Sequence, residues 1–183
     1  MPTIYLVRHG KAAAAFDEDL DPPLNKDGTK QALEMADTLG PLGPLPLIAS
    51  PMRRCRETAS ALENVWGAPA KVDPRVSEVP SPTDDLKVRR EWLRGFMRGT
   101  WSDPAAGDLK GWRADLIAAI EEIDEDTVIS SHFVAINTVV GALNGDERVT
   151  SFQPDNCSIT RLEKSGGVWK VAALGREVET DVL

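Results

Sequence analysis

The sequence predicts an α/β fold, a three-layer sandwich in which helices flank a mainly parallel central sheet. Short apolar runs without alternation recur along the chain, as expected for strands that are buried on both faces. Segments with helical apolar spacing separate most of these runs, and this alternation is typical of layered α/β folds. The length of 183 residues suits one hydrophobic core and is short for two. We therefore expect a single domain over residues 1–183.

The elements follow from apolar spacing in chain order. Strands are predicted at residues 4–7, 45–49, near 72, 127–131, 158–162 and 168–172, and helices at 26–39, 51–66, 84–98, 109–123 and 133–143. Gly40-Pro41 ends the first helix, and Ser50 is predicted to cap the second, with Pro51 at its first position. Asn144-Gly145 ends the last helix, and Gly166-Gly167 predicts a hairpin between the last two strands.

Charge and composition exclude several classes of protein. The chain has 21 basic and 29 acidic side chains, a net charge of -8, which disfavours binding to nucleic acid or anionic lipid. No apolar run approaches the ~20 residues that a membrane span needs. No secretory signal precedes the first strand, so the expected location is the cytoplasm.

The histidines and cysteines are few. Cys55 and Cys157 are too few for a disulfide framework and lack metal-ligand spacing, so no metal site is expected. His9 and His132, the two histidines of the chain, each follow a predicted buried strand. Ligands bind at that edge of open α/β sheets. Each histidine alone could be a polar residue that ends a strand with its hydrogen bonds satisfied. Because both histidines occupy the same kind of position, a ligand-binding site is favoured.

Three arginines near the start of the second helix indicate an anion site. Arg53, Arg54 and Arg56 fall in its first two turns, where each cation opposes the helix dipole at a cost of ~0.3–1 kcal/mol. Guanidinium groups beside free backbone N–H groups suit a bidentate grip on phosphate. The alternative, pairing with surface carboxylates, stays open for Arg53 and Arg56.

Five ordered segments resemble the histidine phosphatase superfamily, which includes the cofactor-dependent phosphoglycerate mutases. They are residues 6–12 (LVRHGKA), 24–32 (LNKDGTKQA), 50–59 (SPMRRCRETA), 129–132 (ISSH) and 155–160 (DNCSIT). An isolated R-H-G tripeptide would be weak evidence, whereas five segments at suitable separations are specific. The resemblance implies a phosphoglycerate mutase-like fold and phosphoryl transfer through a phosphohistidine.

The resemblance also assigns roles to residues. It implies that His9 is the nucleophile and that Arg8, Arg54 and His132 surround the phosphate. These side chains would supply the positive charge, so no metal or other cofactor is expected. Glu78 matches the proton donor of the family's small-molecule phosphatases.

The assignment of the acid leaves alternatives open. Glu78 could be an exposed residue of a proline-flanked loop, and Asp84 and Asp85 are the other candidates.

The chain also departs from the mutases, because Lys11 stands where they have Glu.

Other departures concern the substrate pocket. Phe133 follows the second histidine where Gly is common, and we expect it to narrow the pocket. Asn25 and Cys55 replace the usual Thr and Ala and look like tolerated packing changes. Asn25 and Phe133 are also candidate substrate-binding residues.

Residues 78–107 are a possible lid insertion. A predicted helix there carries four cations at spacings of three and four, hence on one face: Lys87, Arg90, Arg94 and Arg98. If that face borders the pocket, Arg90 and Arg94 would select an acidic substrate. The alternative is a solvated basic face of an amphipathic helix.

The function expected from these residues is a metal-independent phosphatase for a small phosphorylated metabolite. A protein phosphohistidine phosphatase, a mutase-type phosphotransferase and a non-catalytic phosphate-binding protein are the alternatives. A proton donor at Glu78 argues against the protein phosphohistidine phosphatase. Lys11 and the short length of the chain argue against the mutase. The presence of Arg8, His9 and the other site candidates argues against the third. The oligomeric state stays open, a homodimer included.

Overall fold

Strands and helices alternate as predicted in a computed structural model that describes residues 1–15 and 18–178. In chain order the elements are β1 (Thr3–Arg8), α1 (Lys26–Leu39), β2 (Leu47–Ala49), α2 (Arg53–Trp66), β3 (Lys71–Val72), α3 (Leu86–Met97), α4 (Lys110–Glu121), β4 (Thr127–Ser131), α5 (Phe133–Asn144), β5 (Ile159–Ser165) and β6 (Val168–Ala173). The predicted α/β fold class is confirmed. Within the described ranges, no helix is long and apolar enough to span a bilayer.

The sheet brings the ends of three strands together. Its strand order is β3-β2-β4-β1-β5-β6, and β1, β2, β3 and β4 run parallel while β5 is antiparallel to its neighbours. Arg8 pairs with Ser131, and Ala49 pairs with Ser130. The residues that follow these strands, His9, Ser50 and His132, therefore meet at one edge of the sheet.

Helices cover both faces of the sheet, which gives three layers. Because successive side chains of a strand point to opposite faces, Leu6 packs in a cluster with residues of α4 and α5. Val7 packs in a second cluster with residues of α1 and α2. A third cluster joins α3 to the beginning of α5 through Leu93 and Phe133. This third cluster places α3 beside the edge where the strands end.

The start of α2 differs from the prediction. The helix begins at Arg53, its N-cap residue is Met52, and Met52 supplies no side-chain cap. The Ser50 hydroxyl instead accepts a hydrogen bond from the Met52 N–H at 3.3 Å and lies 2.8 Å from a ring nitrogen of His132. A tertiary contact thus takes the hydroxyl that was expected to cap the helix.

Candidate active site

A cavity of about 510 Å³ opens where β1, β2 and β4 end, and we call it the cleft. The residues that line it are Arg8, His9, Lys11, Ala12, Ala13, Ala14, Ala15, Asp19, Leu20, Pro22, Asn25, Arg54, Glu78, Arg89, Leu93, Met97, Phe133, Val134 and Asn156. Six of the predicted site residues are among them: Arg8, His9, Asn25, Arg54, Glu78 and Phe133. The structure thus brings most of the predicted site together.

His9 is held in one tautomer. Its Nδ1 lies 2.8 Å from the Gly10 carbonyl oxygen, which can only accept, so Nδ1 carries the proton. Its Nε2 then has the lone pair and accepts a hydrogen bond from Arg54 Nε at 3.2 Å. Burial, followed by the charges of Arg54 and Arg8, lowers the pKa of His9 well below 6.5. His9 is therefore neutral at pH 7, and its Nε2 is unprotonated with its lone pair directed at Arg54.

The backbone around His9 is fixed from several sides. The His9 N–H donates to the Ser131 carbonyl at 3.0 Å, and the Asn156 side chain donates to the His9 carbonyl at 3.0 Å. The Gly10 N–H donates to Thr58 Oγ1, also at 3.0 Å. A Cβ on Gly10 would lie 2.6 Å from the Gly28 carbonyl oxygen, so this close approach requires glycine.

Arg8 and Arg54 form the cationic wall of the cleft. Arg8 Nη1 donates to the Pro154 carbonyl at 2.8 Å, and its guanidinium lies 5.2 Å from the ring centroid of Phe133. Phe133 therefore does more than narrow the cleft, because its ring also holds Arg8 by a cation–π contact. Arg8 Nε and Arg54 Nη1 are buried and make no hydrogen bond to the described part of the chain. Two buried guanidinium donors in this position suit an anionic ligand.

His132 lies behind Arg54 and does not line the cleft. Its Nδ1 is 3.2 Å from Arg54 Nη2, and since a guanidinium only donates, Nδ1 is the acceptor. Its Nε2 then carries the proton and donates to Ser50 Oγ at 2.8 Å. Burial, then Arg54, lowers the pKa of His132 well below 6.5, so the ring is neutral and supports Arg54 from behind.

Glu78 has two roles in the structure. Its carboxylate accepts the Val134 and Ala135 N–H groups at 3.1 and 3.0 Å, so it caps the N-terminus of α5. It also lines the cleft. Burial raises its pKa above 4.5, against the backbone hydrogen bonds and Arg54, which lower it. Glu78 is thus a cleft carboxyl with an increased tendency to hold a proton, not an exposed loop residue.

The other candidate acids lie outside the cleft. Asp84 is exposed, and Asp85 is the N-cap of α3, where its side chain accepts the N–H groups of Lys87 and Val88. Neither lines the cleft. Their positions favour Glu78 among the three carboxyl groups.

α3 contributes a wall of the cleft through a different face from the expected one. Arg89, Leu93 and Met97, spaced by four residues, line the cleft, whereas Arg90 and Arg94 do not. Arg90 and Arg94 therefore do not line the cleft in this structure, and their role in substrate selectivity stays a prediction.

Asn25 combines a structural position with a place in the cleft wall. It is the N-cap of α1, where its side chain accepts the Gly28 N–H at 2.8 Å.

Arg53, one of the three arginines of the predicted anion site, forms an ion pair with Glu57 at 2.7 Å. This is the alternative given above, pairing with a surface carboxylate.

Comparison with known proteins decides the family. Residues 4–177 match the family model of the histidine phosphatase superfamily (branch 1). The chain belongs to the histidine phosphatase superfamily. Among curated relatives of this chain is the probable phosphoglycerate mutase GpmB of Erwinia tasmaniensis, 28% identical over 202 aligned residues that cover 98% of this chain and 92% of the relative. The GpmB protein of Escherichia coli O1:K1 / APEC is also 28% identical, with the same coverage of both chains.

Solved structures share the fold of this chain. YhfR of Bacillus stearothermophilus has a TM-score of 0.78 at 21% identity and covers 98% of both chains. A mycobacterial glucosyl-3-phosphoglycerate phosphatase has a TM-score of 0.72 at 20% identity, over 97% of this chain and 100% of the other. A phosphoserine phosphatase mutant of Entamoeba histolytica in complex with phosphoserine has a TM-score of 0.76 at 19% identity, over 95% and 96%.

Several residues of this candidate site were not predicted. Asn156 and Thr58 lie within motif segments that the sequence displays, so the motifs themselves were the available signal. Ser50 was interpreted as a helix cap, although it contacts His132. Arg89 had a signal in the apolar residues Leu93 and Met97, which mark the buried face of α3 on which it also lies.

Proposed function

We propose that the protein is a metal-independent phosphatase that hydrolyses a small phosphorylated metabolite through a phosphohistidine at His9. The observation that carries the proposal is the His9 ring, held with its Nε2 lone pair beside Arg54 in a cleft that Arg8 and Glu78 also line. A nucleophile, anion-binding donors and a proton donor thus share one cavity. A cavity of about 510 Å³ is of the size that small-molecule ligands occupy.

In the first step His9 Nε2 attacks phosphorus. The Nε2–P bond forms while the bond between phosphorus and the ester oxygen breaks, and Glu78 gives its proton to that departing oxygen. Arg8 and Arg54 stabilise the charge on the phosphoryl oxygens in the transition state. The hydrogen bond from His9 Nδ1 to the Gly10 carbonyl keeps Nε2 unprotonated and stabilises the ring as positive charge develops.

In the second step water releases the phosphate. Glu78, now a carboxylate, takes a proton from water as the oxygen of that water attacks phosphorus and the Nε2–P bond breaks. The products are inorganic phosphate, neutral His9 and protonated Glu78. His132 acts as a positioning residue here, because it holds Arg54 through Nδ1 without lining the cleft.

A mutase-type phosphotransferase is the second candidate, favoured by the name of the GpmB relatives, probable phosphoglycerate mutase. The difference between the two reactions is the acceptor of the phosphoryl group, water or a second hydroxyl compound. Lys11 in the cleft wall, where the mutases carry Glu, argues for the phosphatase.

The test is a turnover screen of small phosphate esters, with a phosphohistidine peptide and 3-phosphoglycerate included. We expect release of inorganic phosphate from one or more small esters by the wild-type protein and none by His9→Ala. Conversion between phosphoglycerate isomers without phosphate release would establish the mutase instead. Turnover confined to the phosphohistidine peptide would establish a protein phosphatase, and activity retained in His9→Ala would overturn the mechanism.

A further inference from the structure

The hydrogen bond that fixes the His9 tautomer ends on a peptide group that is itself held from outside the cleft. The Gly10 carbonyl, which accepts from His9 Nδ1 at 2.8 Å, belongs to the same peptide group as the N–H of the next residue, Lys11. This N–H donates to Oε1 of Gln31 at 2.9 Å. Gln31 lies on α1, is half-buried and does not line the cleft. A continuous path of hydrogen bonds thus joins a side chain outside the cleft to the ring of His9.

The first turns of α1 hold the backbone of Lys11 on its other side as well. The Asn25 N–H donates to the Lys11 carbonyl at 2.9 Å. A Cβ on Gly28 would clash with the same carbonyl oxygen, so the helix and the loop are in direct backbone contact here. Both polar backbone groups of Lys11 therefore bond to α1, and this helix fixes the orientation of the peptide between Gly10 and Lys11.

The charge on the Gly10 carbonyl affects how basic His9 is. Burial, followed by the charges of the two arginines in the cleft wall, lowers the pKa of His9, whereas the hydrogen bond to the Gly10 carbonyl raises it. The N–H and the C=O of a peptide group share one delocalised system, so a hydrogen bond donated by the N–H makes the carbonyl oxygen a stronger acceptor. Because Gln31 accepts the Lys11 N–H, it strengthens the hydrogen bond at His9 Nδ1.

This effect increases during the proposed reaction. As His9 Nε2 attacks phosphorus, the ring becomes positively charged and its Nδ1–H becomes a stronger donor. A more negative Gly10 carbonyl therefore stabilises the transition state more than the ground state, which is the condition for an increase in rate. Gln31 should thus affect phosphoryl transfer without contact with the substrate, whereas the binding of phosphate should depend little on it.

We propose, on the basis of the proposed function, that Gln31 is a positioning residue for His9 and acts through the peptide between Gly10 and Lys11. Oε1 of Gln31 holds this peptide with its carbonyl on His9 Nδ1, so that Nε2 stays unprotonated and gains basicity. The simpler alternative is that Gln31 only ties the loop after β1 to α1 and contributes to stability. The two interpretations differ in the NMR signals that they predict for the His9 ring.

The experiment is NMR of the ¹⁵N-labelled histidine rings, which are simple to assign in a chain with two histidines. His9→Ala identifies the signals of His9. Gln31→Met removes the acceptor at nearly constant length, so the His9 Nδ1 proton should move upfield as its hydrogen bond weakens. Gln31→Glu provides a charged acceptor and should move the same proton downfield. An Nδ1 proton at the wild-type position in both variants would overturn the proposal.

Kinetics measures the consequence for the reaction. We expect Gln31→Met to reduce kcat/KM for an activated aryl phosphate by about two- to tenfold, the range for one net hydrogen bond. Inhibition by inorganic phosphate should stay within about twofold of the wild-type value, because Gln31 does not line the cleft. Gln31→Glu should restore kcat/KM to the wild-type value or above. An equal weakening of phosphate inhibition and of kcat/KM would show that Gln31 only maintains the cleft, and would overturn the proposal.

Glu63→Met is the matched control. Glu63 on α2 accepts the Ala70 N–H at 2.7 Å, so it too is a helix side chain that holds a loop backbone, and it does not line the cleft. Its replacement should lower the free energy of unfolding and leave both the His9 ring signals and kcat/KM unchanged. If Glu63→Met reduced kcat/KM as much as Gln31→Met, general destabilisation would explain both losses and the proposal would be overturned.

The ring signals separate this proposal from the proposed function, because their measurement needs no substrate. Shifts of the His9 Nδ1 proton in the Gln31 variants, together with a failed turnover screen, would support the positioning of His9 and refute the phosphatase. A wild-type phosphatase in which Gln31→Met changes neither the ring signals nor kcat/KM would do the reverse.

Discussion

Glu78→Gln separates the two roles of Glu78, capping of α5 and donation of a proton. The substitution preserves the shape of the side chain but replaces one of its oxygens with an NH2 group, which cannot accept a hydrogen bond. Since both oxygens accept backbone N–H groups, at 3.0 and 3.1 Å from Ala135 and Val134, at least one of these bonds is lost. We expect a loss of about 1–3 kcal/mol in the free energy of unfolding, the cost of a buried group left unsatisfied.

The catalytic effect of the same change should depend on the leaving group. A general acid contributes about 10²–10⁴-fold, and most when the departing oxygen is strongly basic. Glu78→Gln should therefore reduce kcat/KM for an alkyl phosphate by about that factor while kcat/KM for an activated aryl phosphate falls only a few-fold. The comparison uses kcat/KM because this quantity reports the steps up to phosphorylation of His9, whereas kcat also includes attack by water, which Glu78 assists for both esters. Burial raises the pKa of Glu78, so wild-type turnover of the alkyl ester should fall as pH rises through that pKa. The aryl ester should lack this alkaline decline.

The assay is steady-state phosphate release from both esters, with urea unfolding of the same preparations. Glu78→Asp is the matched control, because it retains a titratable carboxyl on a shorter side chain. An equal loss of kcat/KM on both esters would remove Glu78 from the acid role and leave it as a helix cap. A loss on neither would do the same and would return attention to Asp84 and Asp85.

The remaining predictions concern the need for a metal ion and the stability of the protein at low pH. Turnover should survive EDTA, because Arg8 and Arg54 supply the positive charge that a metal would otherwise provide; loss in EDTA that zinc or magnesium restores would contradict this. The pKa values of His9 and His132 lie well below the unfolded value of 6.5, so the unfolded chain binds more protons below that pH and each histidine costs stability as pH falls. Urea titrations from pH 8 to 5 in the Glu78→Gln background, which removes the opposite contribution of that carboxyl, should show a free energy of unfolding that falls as pH drops below 6.5, with a slope of at most about 1.4 kcal/mol per pH unit for each histidine. A flat profile would mean that the histidines are protonated in the folded protein.

Local signals predicted the elements that depend on local chemistry. Both ends of α1 agree with the prediction, because Asn25 caps its start and Gly40 follows its end. The buried strand β4 also agrees, since a strand covered on both faces reads as a continuous apolar run. The motif segments predicted from the sequence alone that His9 and Arg54 belong to one site.

Tertiary contacts explain where prediction from the sequence was incomplete. Ser50 has the residue type and position of a helix cap, but His132, 82 residues away in the chain, engages its hydroxyl. The burial of Glu78 depends on α5, whose N–H groups it accepts, and no local pattern shows this. On α3 the spacing of cations identified a face but not its orientation, so Arg90 was selected and Arg89, one residue away, was missed.

The central claim is that His9 becomes phosphorylated during turnover, and rapid quench of the protein with a ³²P-labelled substrate tests it most directly. We predict a label that is stable in base and labile in acid, located on His9 by peptide mapping and absent from His9→Ala. Glu78→Gln should accumulate this label when an activated aryl phosphate is the donor, because attack by water then lacks its base. An acid-stable label on a serine, or full turnover by His9→Ala, would contradict the account.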